Sequence, residues 1–245
     1  MPGTWNGILS TSRSELLTLD GLPWPVELRA HPRARAVRLR LDEARERLTL
    51  TYPRRISRGA ALDWAQKQGD WVVRQLLRIA PAEPFRPGAT IPLEGQDVLL
   101  HWEENLPRMP RLCAGRLECG GPLSAMAGRV ERFLRAEARG RLSEATADAA
   151  ARANVSVRSV SVGDASSRWG SCSSSGAIRY SWRLILAPPH LLRWVVAHEV
   201  AHRRHMDHGP QFRALEAELF GGNVRAARAE LRALGPRLKR VGLGL

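Results

Sequence analysis

The chain has 245 residues, 44% of them apolar and 25% charged, which fits a globular protein with a buried core and argues against a disordered or fibrous one. Its 38 Lys and Arg against 24 Asp and Glu leave a formal charge of +14, so anionic partners, nucleic acid first among them, enter as candidates. No run of about 18 apolar residues is present to span a membrane as a helix.

Residues 1–20 carry no basic segment leading into an apolar stretch, so a secretory signal is not expected. Three cysteines, Cys113, Cys119 and Cys172, form no CxxC pair and suit a reducing compartment. The expected location is the cytoplasm.

Between Val26 and Tyr52 the pattern alternates with period two. Val37, Leu39 and Leu41 interleave with Arg38 and Arg40, and Leu48, Leu50 and Tyr52 interleave with Thr49 and Thr51. This predicts a two-stranded antiparallel unit with one buried face. Ser57 is the expected N-cap of a helix over 58–79, with Trp64, Ala65, Trp71, Val72, Leu76 and Ile79 as its apolar stripe. Pro81 to Pro87 break it. Short strands are then predicted at 90–93, 97–102 and 116–119, with Gly95 in a turn.

Gly120-Gly121-Pro122 marks a shift in composition and the expected boundary between two regions, 1–120 and 121–245. A long helix is predicted over 124–152, with Val130, Phe133, Leu134 and Leu142 on its apolar side and Asn154 as its stop. Val155 to Val162 suggest a strand, residues 163–176 form a Ser/Gly-rich loop, and 178–186 reads as another strand. Pro188-Pro189 opens a helix over 190–205. Gly209-Pro210 ends that run, and two shorter helices complete the chain.

Four of the seven histidines fall within eleven residues: His198, His202, His205 and His208. His198-Glu199-Val200-Ala201-His202 is an HExxH pattern. Residues four apart share a helix face and lie about 6 Å apart along the axis, so two imidazoles can converge on one ion. Glu199 then points beside the metal, where it can take a proton from an activated water and pass it to the leaving group. Unpaired histidines would be costly inside so apolar a helix (Leu191, Leu192, Trp194, Val195, Val196), which favours ligation over the alternative of exposed rings on a polar face.

A catalytic zinc needs a third protein ligand and an open position. His205 lies about 10.5 Å along the helix from His198, too far for the same tetrahedral ion. His208 precedes the Gly209-Pro210 turn and can fold back, with Glu216 or Glu218 as the fallback. His205 is then a residue supporting a ligand or a surface residue, and Arg203 and Arg204 are expected on a solvated face.

Arg168-Trp169-Gly170-Ser171-Cys172 with Ser167 before it, then IRYSWRLILAP from Ile178, then HEVAH and Asp207-His208, resemble the YgjP-like metallopeptidases, bacterial zincins akin to the SprT-like and WLM groups. The Arg-rich hairpin, Tyr52-Pro53-Arg54-Arg55 and the Trp-bearing helix resemble that family's front end, so the likeness spans nearly the whole chain. It implies an α+β fold, a β-rich basic N-terminal region followed by a zincin-like domain. It also implies one zinc ion per chain on His198, His202 and His208, Glu199 as general base, and a peptide or protein substrate. The family usually has Asn at position 207, Ser at 209, Asn at 181 and Trp at 213, where this chain has Asp, Gly, Ser and Arg; none of these is a proposed ligand.

Accessory candidates are Arg168 and Tyr180 as oxyanion stabilisers and Cys172 as a nucleophile, a fourth ligand or a packed thiol. The strand over 178–186, just before the metal helix, is a candidate edge for an extended peptide. Residues 29–58 hold ten Arg against Asp42, Glu43 and Glu46. Arg33, Arg35, Arg38 and Arg40 are therefore candidate nucleic-acid contacts, or else a solvated face. Two further readings stand beside the peptidase: a nucleic-acid-associated protein, SprT-like in character, with a structural zinc, and a zinc hydrolase of other amides.

Overall fold

A computed structural model describes residues 15–42, 46–77, 79–164 and 168–244. The chain divides into two compact units, Met1–Ile79 and Ala80–Leu245. Residues 43–45 of the expected hairpin turn, Arg78 of the expected helix and Ser167 of the family-like motif lie outside the described residues.

In the first unit β1 (Leu16–Leu17), β2 (Val26–Ala30), β3 (Arg38–Asp42) and β4 (Arg47–Tyr52) form one sheet in the order β1-β2-β4-β3. β3 and β4 make the predicted antiparallel pair, with Leu39 opposite Leu50 and Leu41 opposite Leu48. β2 joins β4 in parallel, so the sheet is larger than the expected hairpin. The alternation sends Leu48 and Leu50 into a core with Val26, Ala61, Ala65 and Val72, all fully buried. Arg38 and Arg40 stand opposite Thr51 and Thr49, and both are exposed, as are Arg33 and Arg35 in the preceding loop.

The single helix expected over 58–79 is two, α1 (Arg58–Gln66) and α2 (Gly69–Leu76). Ser57 caps α1, its hydroxyl accepting from the Ala60 N–H at 3.2 Å. The break falls before Gly69, a poor helix residue, whose missing Cβ lets the chain pass close to the Gly21 carbonyl. Trp64, placed on the apolar stripe by the continuous-helix reading, is instead 37% exposed.

The second unit opens with β5 (Thr90–Leu93), β6 (Gln96–Trp102), β7 (Arg111–Cys113) and β8 (Arg116–Cys119), in the order β5-β6-β8-β7. The three predicted strands are present, and β7 is the addition. The 28-residue helix α3 (Met126–Ala153) follows a short 3-10 turn and ends at Asn154 in the left-handed region, φ 50°. Gly120-Gly121-Pro122 therefore lies inside this unit, where β8 joins α3.

A three-stranded sheet, β9 (Ser159–Gly163), β10 (Gly170–Cys172) and β11 (Ala177–Ser181), has the order β10-β11-β9. β10 arises from the expected Ser/Gly-rich loop. The strand expected over 178–186 stops at Ser181, and Trp182–Leu186 is a 3-10 turn with all five residues buried. The segment is buried on every side, Arg183 included, which removes the alternation that marks a strand. β11 is the central strand, not an edge; β10 and β9 are the two edges.

α4 (Pro189–Ala201), α5 (Pro210–Phe220) and α6 (Val224–Leu238) complete the unit. Val130, Leu134 and Leu142 of α3 pack in one core with Ile178, Trp182, Leu191, Val196, Val200 and Phe212. The β5–β6 turn is stitched to the entrance of α4. Glu94 N–H donates to the Ile185 carbonyl at 2.7 Å and Gly95 N–H to that of Leu186 at 3.2 Å. Gly95 has φ +78°, and a Cβ there would meet Pro188 at 2.9 Å.

This is a mixed α+β protein with three small sheets and six α-helices among the described residues. No helix among them is long and apolar enough to cross a membrane.

Candidate metal centre

α4 is apolar on nearly every side, with Leu191, Trp194, Val195, Val196 and Val200 buried. Its last turn carries His198 and Glu199, and His202 is its C-cap. The helix expected to reach 205 ends at Ala201, because the N–H groups of Arg203 and Arg204 bond three residues back, to Val200 and Ala201. That tightening turns the chain aside and brings His208 back over the helix end.

The His208 ring centroid lies 5.2 Å from that of His198 and 4.8 Å from that of His202, which are 5.0 Å from each other. One nitrogen from each ring lies within 4.8 Å of the other two. Buried Phe212, on the first turn of α5, packs against all three rings at 4.6–5.0 Å. Its place four residues after His208 was the only sign of this role in the sequence.

Hydrogen bonds fix which ring nitrogens face inward. His202 Nδ1 lies 3.1 Å from the His205 carbonyl oxygen, which can only accept, so Nδ1 carries the proton and Nε2 the lone pair. His198 Nδ1 lies 2.9 Å from Glu216 Oε1, which also accepts from Trp194 Nε1 at 3.0 Å. Burial would raise the Glu216 carboxyl, but the bonds from His198 and Trp194 and the charges of His198 and Arg228 outweigh it and hold it below its ordinary range. Glu216 is thus an acceptor that holds the His198 proton at Nδ1 and leaves Nε2 bare. It is not in the group of inward-facing nitrogens, and Glu218 is exposed on α5.

His198 Nε2 and His208 Nε2 are 3.4 Å apart. Two nitrogens bound tetrahedrally at about 2.0–2.1 Å would stand roughly 3.3–3.4 Å from each other. Burial also lowers the His202 pKa against the pull of its bond to His205, which favours the neutral, ligating form. The donor set fits a zinc-sized cation.

Glu199 is 5% exposed. Burial raises its carboxyl to about 7, against the opposing charges of His198 and Arg168. Gly170, on β10, makes room for it: a Cβ there would fall 2.5 Å from Glu199 Oε1. Gly170→Ala is accordingly expected to push the carboxyl aside and lower kcat by about 10²-fold with metal content unchanged. Parallel metal analysis and single-turnover assays check this, and undiminished kcat would remove Gly170 from the account.

Arg168 lines a pocket of about 360 Å³ with His198, Glu199 and His208. Tyr180 is fully buried, its hydroxyl 3.0 Å from Thr146 Oγ1, which itself donates to the Leu142 carbonyl. The phenol therefore donates within the core, and burial raises its pKa. Cys172 is half-buried beside the Ser173 carbonyl, and burial, opposed by Arg203, pushes its thiol up. His205 contributes its carbonyl to His202 rather than its ring to the group.

Arg204 is exposed as expected, whereas Arg203 is half-buried. Its guanidinium donates to the carbonyls of Ser156 and Ser174 at 3.0 and 3.2 Å, tying the chain after His202 to the β10–β11 turn. Arg228 of α6, absent from the expected set, also lines the pocket; nothing in its local sequence marks it. A separate cleft of about 410 Å³, lined by Glu94, Arg141, Asp148 and Arg193 among others, holds none of these residues.

A family model for a metallopeptidase domain matches residues 35–234, most of the chain and parts of both units. The model is the YgjP-like one, and the chain belongs to the YgjP-like metallopeptidase family. No curated protein and no solved structure matches it.

Proposed function

We propose that the protein is a zinc metallopeptidase that hydrolyses peptide bonds, with one ion per chain held by His198, His202 and His208 and with Glu199 as general base. The observation that carries this reading is the convergence of the three ring nitrogens within 4.8 Å, with the Nδ1 atoms of His198 and His202 occupied by Glu216 and the His205 carbonyl. When bound, zinc supplies Lewis-acid chemistry, acidifying a water molecule and polarising a carbonyl oxygen.

The protein's own groups do the rest. Glu199, poised near 7, takes a proton at its carboxylate and returns it to the departing amine. Gly170 keeps the carboxyl in place. The outer edge of β10, which no strand among the described residues pairs with, lies beside the pocket and offers main-chain groups to which an extended peptide can add as a further strand. His208 is exposed, and three protein ligands leave a fourth position for chemistry, which supports a catalytic rather than a structural ion.

The test is metal analysis with a chelation series on a peptide substrate. The expected result is one zinc per chain, peptide cleavage lost on chelation and restored by zinc, and a far-UV spectrum little changed by removal of the ion. A chain that unfolds with the metal would favour a structural ion, and cleavage indifferent to the chelator would overturn the reading.

A further inference from the structure

The pocket beside the three histidines is cationic at its mouth. Arg168 reaches it from the segment before β10 and Arg228 from α6, while Trp169, Trp194 and Val195 supply apolar lining. The two carboxylates nearby are withdrawn: Glu199 is 5% exposed and Glu216 2%.

Among the described residues neither guanidinium donates a hydrogen bond, although the charge of Arg228 acts on Glu216 and that of Arg168 on Glu199. Arg228 has a half-exposed side chain, and its Nη2 stands 3.9 Å from Glu216 Oε1, beyond hydrogen-bond distance. That oxygen already accepts from His198 and Trp194. The Arg228 guanidinium carbon lies 5.8 Å from the centroid of the Trp194 ring, a contact that orients it. Arg168 is exposed, and its charge acts on Glu199 without a hydrogen bond or an ion pair within 4 Å among the described residues. Two planar donor forks with free N–H groups, drawn from separate elements to one pocket, match the geometry of a carboxylate.

We propose that Arg168 and Arg228 recognise a carboxylate of the peptide substrate, so that the enzyme selects peptides bearing an anionic group next to the bond it cuts. This inference rests on the peptidase reading. In an unmodified peptide such a group is an Asp or Glu side chain or the chain's C-terminal carboxylate. The first makes the enzyme an endopeptidase with acidic preference, and the second a carboxypeptidase.

The experiment uses one peptide in three forms: a Glu-containing form with an amidated end, the same with Gln for Glu, and the Gln form with a free C-terminal carboxylate. Each is titrated by calorimetry into the full-length metal-free protein, because a carboxylate would also ligate zinc, and each is then offered as substrate to the zinc-loaded protein. One carboxylate form is expected to bind about 10- to 100-fold more tightly than the neutral peptide, and its identity distinguishes side chain from chain end. kcat/KM should follow the same order.

Arg168→Ala with Arg228→Ala should abolish the preference. Arg168→Glu should shift it towards a Lys-containing peptide, a gain that misfolding cannot mimic. Equal binding of all three peptides, or a preference that survives the double replacement, would overturn the proposal. Cleavage of all three at one rate would also overturn it while leaving the peptidase reading intact. A carboxylate preference in binding without any cleavage would support the site and count against the peptidase reading.

Discussion

Glu199→Gln is expected to keep one zinc per chain and to lower turnover by about 10²- to 10⁴-fold, the usual contribution of a positioned general base. The amide has nearly the shape of the carboxyl, so the space left by Gly170 still accommodates it, and the three histidines keep their partners. What disappears is the ability to accept a proton. Retained activity with retained zinc would rule out Glu199 as the base.

The same substitution has a second signature in the metal-free protein. Burial raises the Glu199 carboxyl from 4.5 to about 7. Below about pH 4.5 the group is protonated both folded and unfolded and costs nothing. Between 4.5 and 7 only the unfolded chain releases the proton, so folding stability falls as pH rises. The loss is complete above the folded value and amounts to about 3 kcal/mol at roughly 1.4 kcal/mol per unit. Metal-free Glu199→Gln should lack this loss. Urea unfolding of both proteins at pH 4.5, 6 and 7.5 reads the difference, and a constant gap across the series would mean that Glu199 is not desolvated as the geometry implies.

His208→Ala is expected to weaken zinc binding by more than the roughly 10- to 100-fold that loss of a supporting partner costs, and to abolish peptide cleavage at stoichiometric zinc. His208 is exposed and stands in the turn between α4 and α5, so removing its ring takes little from the core. The metal-free variant should therefore unfold at the same denaturant concentration as the metal-free parent. Glu216→Gln is the contrasting case. It leaves all three ligands but removes the charge that holds the His198 proton at Nδ1, and should cost affinity only in the 10- to 100-fold range. Competition with a chromophoric chelator measures both. If His208→Ala bound zinc as tightly as the parent, the third ligand would have to be sought elsewhere.

Much of the geometry of the candidate centre was legible in the chain because its parts are local. HExxH spacing is a helix property, and the Gly209-Pro210 turn that returns His208 is written beside it. The strands at 90–93 and 116–119 and the stop at Asn154 were likewise readable from alternation, turn residues and a left-handed cap. Failures arose where tertiary packing decides. Trp182–Leu186 looks like a strand because all of it is buried, and burial on every side erases the period that separates strand from turn. Arg203 looked solvated because the carbonyls of Ser156 and Ser174 that it meets lie far off in sequence. Glu216 was weighed as a ligand, since only the fold shows that it meets His198 at Nδ1. Gly170 and Arg228 matter through what they touch.

The seating of the β5–β6 turn on Pro188 bears on how the chain can be divided. Glu94 and Gly95 close backbone bonds onto the last residues before α4, so the sheet of residues 90–119 acts as a buttress at the root of the helix that presents His198. A fragment cut at Gly121 would keep every proposed ligand and lose that abutment, together with the shelter β5, β6 and β8 give the shared core. A fragment expected to keep the candidate metal site with its buttress therefore begins near Ala80, where the second compact unit starts.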